Sequence, residues 1–159
     1  MLQQAVSIYG THFSTRANAV RLKKLHAVNM PGLWRPLHEA EGWWVSWGAN
    51  DSYAFKPVWH ILYHRFTLAQ ELLNLMWVYT SGEDMNWYAG NIYVEVVGIN
   101  AYPRNQPNPL SAQYEQRKAE FSGCKLLAIS EFGGVPNVSL MQQYGDFWDW
   151  FASRNGTVK

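Results

Sequence analysis

Leu33-Trp34-Arg35-Pro36-Leu37-His38-Glu39-Ala40-Glu41-Gly42-Trp43-Trp44-Val45-Ser46-Trp47-Gly48 is an apolar run that ends in acid and then in indole rings. Pro31-Gly32 opens it, and Leu33 to Leu37 reads as a short strand. Three tryptophans within five residues are costly to expose, yet glycines flank them as in a loop. Two readings are open. Either the rings finish a core, or they cover the C–H faces of a sugar whose oxygens the neighbouring carboxylates handle.

Outward from this stretch, strand alternates with helix. A helix over 16–27, capped by Ser14 or Thr15, precedes it, within a segment 1–30 of weakly helical spacing. Asp51 or Ser52 caps a second helix with Pro57 in its first turn, where Phe55, Val58, Trp59, Leu62 and Phe66 form one stripe. The nearly continuous apolar runs 72–79, 93–99 and 125–130 suit parallel strands buried on both faces. Between them lie a loop 81–90 holding Glu83, Asp84, Trp87 and Tyr88, and a proline-rich loop 103–109. A helix over 111–121 follows, with Tyr114 and Phe121 inward. Leu140, Tyr144, Phe147, Trp148 and Phe151 have helical spacing, although that segment can also close on a strand. The class is α/β with a parallel sheet, in one domain over 1–159.

Composition excludes several functions. Thirteen Lys and Arg balance twelve Asp and Glu without a long run of either sign, which argues against nucleic acid or a membrane as partner. No apolar stretch is long enough to span a bilayer, and no signal peptide is evident. Cys124 stands alone, so an intrachain disulfide is impossible. Sequons at Asn50, Asn137 and Asn155 lean toward secretion. Nine tryptophans need a use, in a bulky core or in sugar stacking.

Several strands end in chemistry-bearing residues: His38-Glu39, Asn100-Ala101-Tyr102 and Glu131. In a (β/α) barrel such ends face one mouth. There Glu39 and Glu131 would serve as the carboxylate pair that a retaining glycosidase holds about 5–5.5 Å apart. The plainer alternative is two strand-end glutamates that cap helices. His60 and His64 have the spacing of two metal ligands, but Ile61 replaces the glutamate of His-Glu-x-x-His and no third ligand is evident, so no metal is expected. Gly133-Gly134 reads as a turn rather than a phosphate loop.

Arg35-Pro36-Leu37-His38-Glu39-Ala40-Glu41-Gly42, closing on Trp47-Gly48, resembles the acid/base motif of glycoside hydrolase family 26, known for endo-β-1,4-mannanases. Asn74-Leu75-Met76-Trp77-Val78-Tyr79, Trp87-Tyr88-Ala89-Gly90 and Val97-Gly98-Ile99-Asn100-Ala101-Tyr102 follow in the family's order. Leu127-Ala128-Ile129-Ser130-Glu131-Phe132-Gly133, with Pro136 behind it, resembles the nucleophile motif. The resemblance runs from about Pro31 to Asn155.

It implies Glu39 as general acid/base after the fourth barrel strand and Glu131 as nucleophile after the seventh. His38 would hold the reacting groups, and Trp44 and Tyr102 would line the cleavage subsite. Trp43 and Trp47 join them as substrate-binding candidates. Aligning 148–156 with the family's last strand puts Arg154 where an aromatic wall is usual, with Trp148 or Trp150 as the alternative. Other departures are Asn100 for an aspartate, Ala89 for a proline and His64 for an aspartate.

A complete barrel takes about 250 residues. The expectation is therefore a partial (β/α)8 TIM barrel, strands four to eight of eight, in a single partial catalytic domain lacking the first three. Its open strand edges could pair with another copy. The resemblance implies a retaining endo-β-1,4-mannosidase without cofactor or metal, acting on mannan, galactomannan or a related β-linked polysaccharide, the full-length parent being extracellular. A catalytically inactive glycan-binding or structural fragment is the alternative.

Overall fold

The computed structural model describes residues 6–8, 11–13, 15–45, 47, 51–80, 82, 84–103, 109–121 and 123–154. The chain divides into two compact units, Met1–Val94 and Glu95–Lys159.

The first unit opens on an antiparallel hairpin, β1 (Val6–Ile8) with β2 (Thr11–Phe13), in a segment whose spacing suggested helix. Helix α1 (Thr15–His26) starts beside the expected position; Ser14, the other candidate cap, lies outside the described residues. Lys23, Lys24 and His26 sit in its last turn, where cations meet the negative end of the helix dipole. The helix stops on Asn29 at φ 51, with Asn29 N–H donating to the His26 carbonyl and Met30 N–H to that of Leu25. That is a Schellman ending with asparagine in the usual glycine place.

Strand β3 (Gly32–Trp34) pairs in parallel with β4 (Leu75–Thr80), Leu33 against Met76 and Trp34 against Trp77. It is shorter than the expected 33–37. Pro36 has no N–H to give a ladder, and Leu37 turns to φ 49, outside strand geometry.

Between the two strands runs α2 (Ser52–Tyr63), whose N-cap Asp51 accepts from Tyr53 N–H at 2.7 Å. Pro57 lies inside this helix rather than in its first turn. It removes the partner of the Tyr53 carbonyl, on a face where both residues are exposed. The helix passes into a stretch of π-helix, His64–Ala69. Phe55, Trp59, Leu62 and Phe66 of the expected stripe are buried, while Val58 is exposed.

The stripe builds an aromatic core. Trp59 lies 5.8 Å from both Trp77 and Tyr79, and Phe55 5.6 Å from Trp87, as tilted or edge-to-face pairs. Trp59 Nε1–H is satisfied by the Tyr93 carbonyl at 3.1 Å. The loop after β4 carries a turn of 3-10 helix, Met85–Trp87, started by Asp84, whose side chain accepts from Asn86 N–H. Glu83 and Ser81 of that loop lie outside the described residues.

The second unit is three parallel strands in chain order: β5 (Val96–Ala101), β6 (Leu126–Phe132) and β7 (Trp150–Ser153). Helix α3 (Ser111–Phe121) connects the first two and α4 (Val138–Tyr144) the last two. Parallel neighbours need such a crossover. Helix α3 buries Tyr114, Arg117 and Phe121, and Arg117 pairs with Glu120 at 2.6 Å. The loop 104–108 before it lies outside the described residues.

Asn137 caps α4 by accepting from Leu140 N–H at 3.0 Å, so this sequon residue has a structural duty. Asn50 and Asn155 lie outside the described residues. Gly145 at φ 78 ends α4, and the segment then closes on a strand rather than continuing as helix. Ile99, Leu110, Ile129, Phe132 and Met141 form this unit's core, mostly aliphatic where the first unit's is mostly aromatic, and Trp148 packs on it.

Candidate active site

Glu39 sits in the irregular segment that follows β3. Leu37 at φ 49 and Glu39 at φ 55 both adopt the left-handed conformation, on either side of His38. For residues with a Cβ this costs about 1–2 kcal/mol each. Such strain persists only where surrounding contacts impose it, and it gathers at functional sites. The contacts here are the buried Leu37, Ala40 and Val45, a Gly42 N–H bond to the Glu39 carbonyl (2.8 Å) and a Val45 N–H bond to that of Gly42 (3.2 Å).

The three tryptophans have separate tasks. Trp47 is half-buried; its Nε1–H donates to the His38 carbonyl at 3.0 Å, and its ring lies 5.7 Å from the imidazole. It anchors His38. Trp44, 48% exposed, donates Nε1–H to Glu39 Oε2 at 3.1 Å. Trp43 is 83% exposed and meets Trp44 edge-on, with 5.9 Å between centroids. A Cβ on Gly42 would lie 2.6 Å from the Trp44 ring and 3.0 Å from the Glu39 carbonyl, so glycine there lets the indole fold back onto the carboxylate. Glu41 packs its carboxylate against Gly82, in the loop after β4, with no room for a Cβ at that glycine.

Glu131 is the next-to-last residue of β6. The β5–β6 register runs evenly through Ile99↔Ile129 and then shifts, so that Asn100 faces Glu131. Ser130, at the skipped position, is buried and places its Oγ 3.1 Å from the Ile99 carbonyl and 3.0 Å from Asn100 Oδ1. An irregularity of this kind re-aims side chains where a strand ends.

Two side chains of this unit, Tyr102 and Arg154, converge on the Glu131 carboxylate, which is 19% exposed. Tyr102 donates its hydroxyl proton to Glu131 Oε1. Arg154, just past β7, places Nε 3.7 Å from the same oxygen and donates from Nη1 to the Tyr102 hydroxyl at 3.3 Å. Its guanidinium carbon lies 5.7 Å from the Tyr102 ring centroid. Partial burial, then the hydrogen bond to Glu131, hold the Tyr102 phenol above its ordinary range, against Arg154, which lowers it.

Trp148 is placed elsewhere. It lies before β7 and packs 5.3 Å from Tyr114 of α3 against the core, so the substrate-binding expectation does not carry over to it. Arg154, at the far end of that strand, stands beside Glu131 instead. The convergence of Arg154 on Glu131 and Tyr102 was not legible in the sequence, nor were the tight seats at Gly42 and at Gly133, where a Cβ would lie 2.6 Å from the Tyr102 ring. The one signal was a glycine following each acidic motif.

His60 Nε2 engages the Ala89 carbonyl at 2.7 Å and its ring stacks on Tyr93 at 4.0 Å, a structural role. Among the described residues no group of three or more His, Cys, Asp or Glu is arranged for a metal, and no helix is long and apolar enough to cross a membrane.

Residues 13–158 match the model of glycosyl hydrolase family 26. A mannan endo-1,4-beta-mannosidase of Thermothelomyces thermophilus is 38% identical over 86% of this chain and 28% of its own length. Mannan endo-1,4-beta-mannosidase B of a Piromyces species is 34% identical over 86% of this chain and 23% of its own. The chain thus spans less than a third of the length of these relatives. Among solved structures, a Podospora anserina GH26-CBM35 beta-(1,4)-mannanase is 40% identical with a TM-score of 0.82, over 88% of this chain and 31% of that one. A beta-mannanase from a symbiotic protist of the termite Reticulitermes speratus, complexed with gluco-manno-oligosaccharide, is 33% identical with a TM-score of 0.78, over 87% and 42%. The fold is α/β, a partial (β/α)8 barrel in which β3 to β7 stand for about strands four to eight.

Proposed function

The chain belongs to glycosyl hydrolase family 26, and from that premise we propose that it carries the catalytic carboxylates of a retaining endo-β-1,4-mannosidase. Glu131 is the nucleophile: it attacks the anomeric carbon and forms a glycosyl-enzyme as the glycosidic oxygen departs. Glu39 is the acid/base: it protonates that oxygen, then takes a proton from the water that releases the sugar. No cofactor enters this scheme. Tyr102 orients Glu131, Trp44 orients Glu39 and offers a ring to the sugar, Trp43 extends that aromatic surface, and Trp47 fixes His38.

The substrate is a β-1,4-linked mannan or glucomannan, a polymer too large to enter a cell, so the site of action is extracellular. The single observation that carries the proposal is that both glutamates singled out by the family motifs are held, each within its own unit, by an aromatic donor: Trp44 on Glu39 and Tyr102 on Glu131.

The experiment is release of reducing ends from soluble β-mannan by the chain and by Glu39→Gln and Glu131→Gln. Loss of an acid/base costs about 10²–10⁴-fold, and loss of the nucleophile about as much or more. Unchanged activity in either variant removes the assignment. The 83% exposure of Trp43 favours one second reading, glycan binding without cleavage. Retention of the chain on insoluble mannan, with no reducing ends released, selects it.

A further inference from the structure

Tyr102 is seated by two different neighbours. Its ring lies over Gly133, where a Cβ would come within 2.6 Å of Cδ1, and Gly133 N–H is bonded to the Ala101 carbonyl at 2.9 Å. This fixes the ring but leaves the hydroxyl free to rotate. A phenol oxygen can accept as well as donate, whereas a guanidinium can only donate. With Arg154 Nη1 donating to the oxygen at 3.3 Å, the hydroxyl proton is directed away from Arg154 and toward Glu131.

The backbone explains why Arg154 reaches this point. Its N–H continues the β6–β7 ladder to the Phe132 carbonyl at 3.0 Å, after the register shift between Ile129 and Phe132. Its direct contact with Glu131 is a 3.7 Å ion pair whose arginine is 60% exposed, and pairs so open to water contribute little.

We propose that Arg154 is a positioning residue that acts through Tyr102, fixing its hydroxyl as a donor to Glu131. The proposal rests on the reading of Glu131 as the nucleophile. It gives Arg154 a task within the nucleophile's own unit, separate from any contact with sugar. An arginine suits it better than a lysine, because its planar fork donates to the oxygen while lying along the ring.

The test is a double-mutant cycle of Arg154→Met and Tyr102→Phe, with Arg154→Lys as the conservative variant. Arg154→Met is expected to lower kcat about tenfold with KM nearly unchanged, the size expected for a slightly misplaced reacting group. In the Tyr102→Phe background the same change is expected to do almost nothing. Arg154→Lys should fall between. An equal loss in both backgrounds overturns the proposal, as does a raised KM with kcat intact, which would mark a substrate contact.

A second readout is independent of activity. In protein with 13C-labelled tyrosine, the Tyr102 resonance, identified by its loss in Tyr102→Phe, should titrate at higher pH in Arg154→Met than in wild type, because the one lowering neighbour is gone. An unmoved titration overturns the proposal. If the wild-type chain releases no sugar, the reading of Glu131 falls, and this titration still decides whether Arg154 holds the phenol.

Discussion

Glu131 reaches its position along a strand, while Glu39 reaches its position along a loop bent against its own backbone preference. The strand is held by a ladder on both sides, β5 and β7, and by a core of Ile99, Ile129 and Phe132. Its placement is spread over many bonds. The loop has no ladder after Trp34 among the described residues, and local contacts shape it instead, among them two short turns, Trp47 on the His38 carbonyl and Trp44 on the carboxylate. A spread constraint tolerates one lost contact, and a concentrated one does not. The two candidate catalytic residues should therefore differ in how sharply they respond to damage close by.

The pair of glycine substitutions tests this most directly. Gly42→Ala puts a methyl 2.6 Å from the Trp44 ring and 3.0 Å from the Glu39 carbonyl, so it strikes both the side chain that holds Glu39 and the backbone that carries it. Gly133→Ala strikes only the ring of Tyr102, a half-exposed side chain that can swing aside while β6 stays in its ladder. Gly42→Ala is expected to lower kcat on mannan about 10²-fold, near the known cost of a 1 Å misplacement, and Gly133→Ala about tenfold. The unfolding midpoint should change little in either. A larger loss at Gly133 than at Gly42 would break the comparison.

The same contrast governs what was legible in the sequence. Helix α3 appears within the expected bounds, with Tyr114 and Phe121 inward, because a regular element advertises itself through the spacing of its apolar residues. Strand β6 and the position of Glu131 at its end were legible for the same reason. The Glu39 loop was legible from its flanking glycines and its strand-end acid, and in more detail as a resemblance, but its backbone was not. Nothing in its composition announces left-handed backbone at Leu37 or distinguishes Trp47, an anchor, from Trp43, an open face.

Hairpin β1–β2 and the π-helical stretch 64–69 were also missed. Three-residue strands are too short for a period to register, and Phe66 fits the α-helical stripe whether the turn around it is α or π. Of the two uses open to the nine tryptophans, both occur: Trp59, Trp77 and Trp87 are buried in the first unit's core, while Trp43 and Trp44 are exposed.

Trp44→Phe isolates the hydrogen bond that Trp44 gives to the Glu39 carboxylate. Phenylalanine keeps a ring beside Trp43 but has no N–H for Glu39 Oε2. Hydrogen bonds to charged groups are worth about 1.5–3 kcal/mol, and exposure of this pair puts it at the low end. A fall in kcat of about three- to tenfold is expected, smaller than that of Gly42→Ala because the strained backbone stays in place. Equal losses in the two variants would mean that the bond to Trp44, rather than the backbone, accounts for the glycine.

Alkaline pH offers the gentlest probe, because only one of the two holding groups can ionise. Tyr102 is raised above its ordinary value of 10.0, first by burial and next by the bond to Glu131, while the Trp44 indole does not titrate in this range. A raised pKa on a group that is neutral when protonated means the folded chain binds that proton more tightly than the unfolded chain. The stabilisation is then complete below about pH 10 and is lost as pH rises through the folded-state value. Wild type should lose stability with rising pH in that window more steeply than Tyr102→Phe, as read from denaturant midpoints at about pH 8 and about pH 11. The difference will be small, since the ring is half open to water. Parallel curves for the two proteins would mean that the hydroxyl makes no distinctive bond in solution. The Glu131 end would then be placed by its strand without help from the phenol, and the contrast with the Glu39 loop would be sharper still.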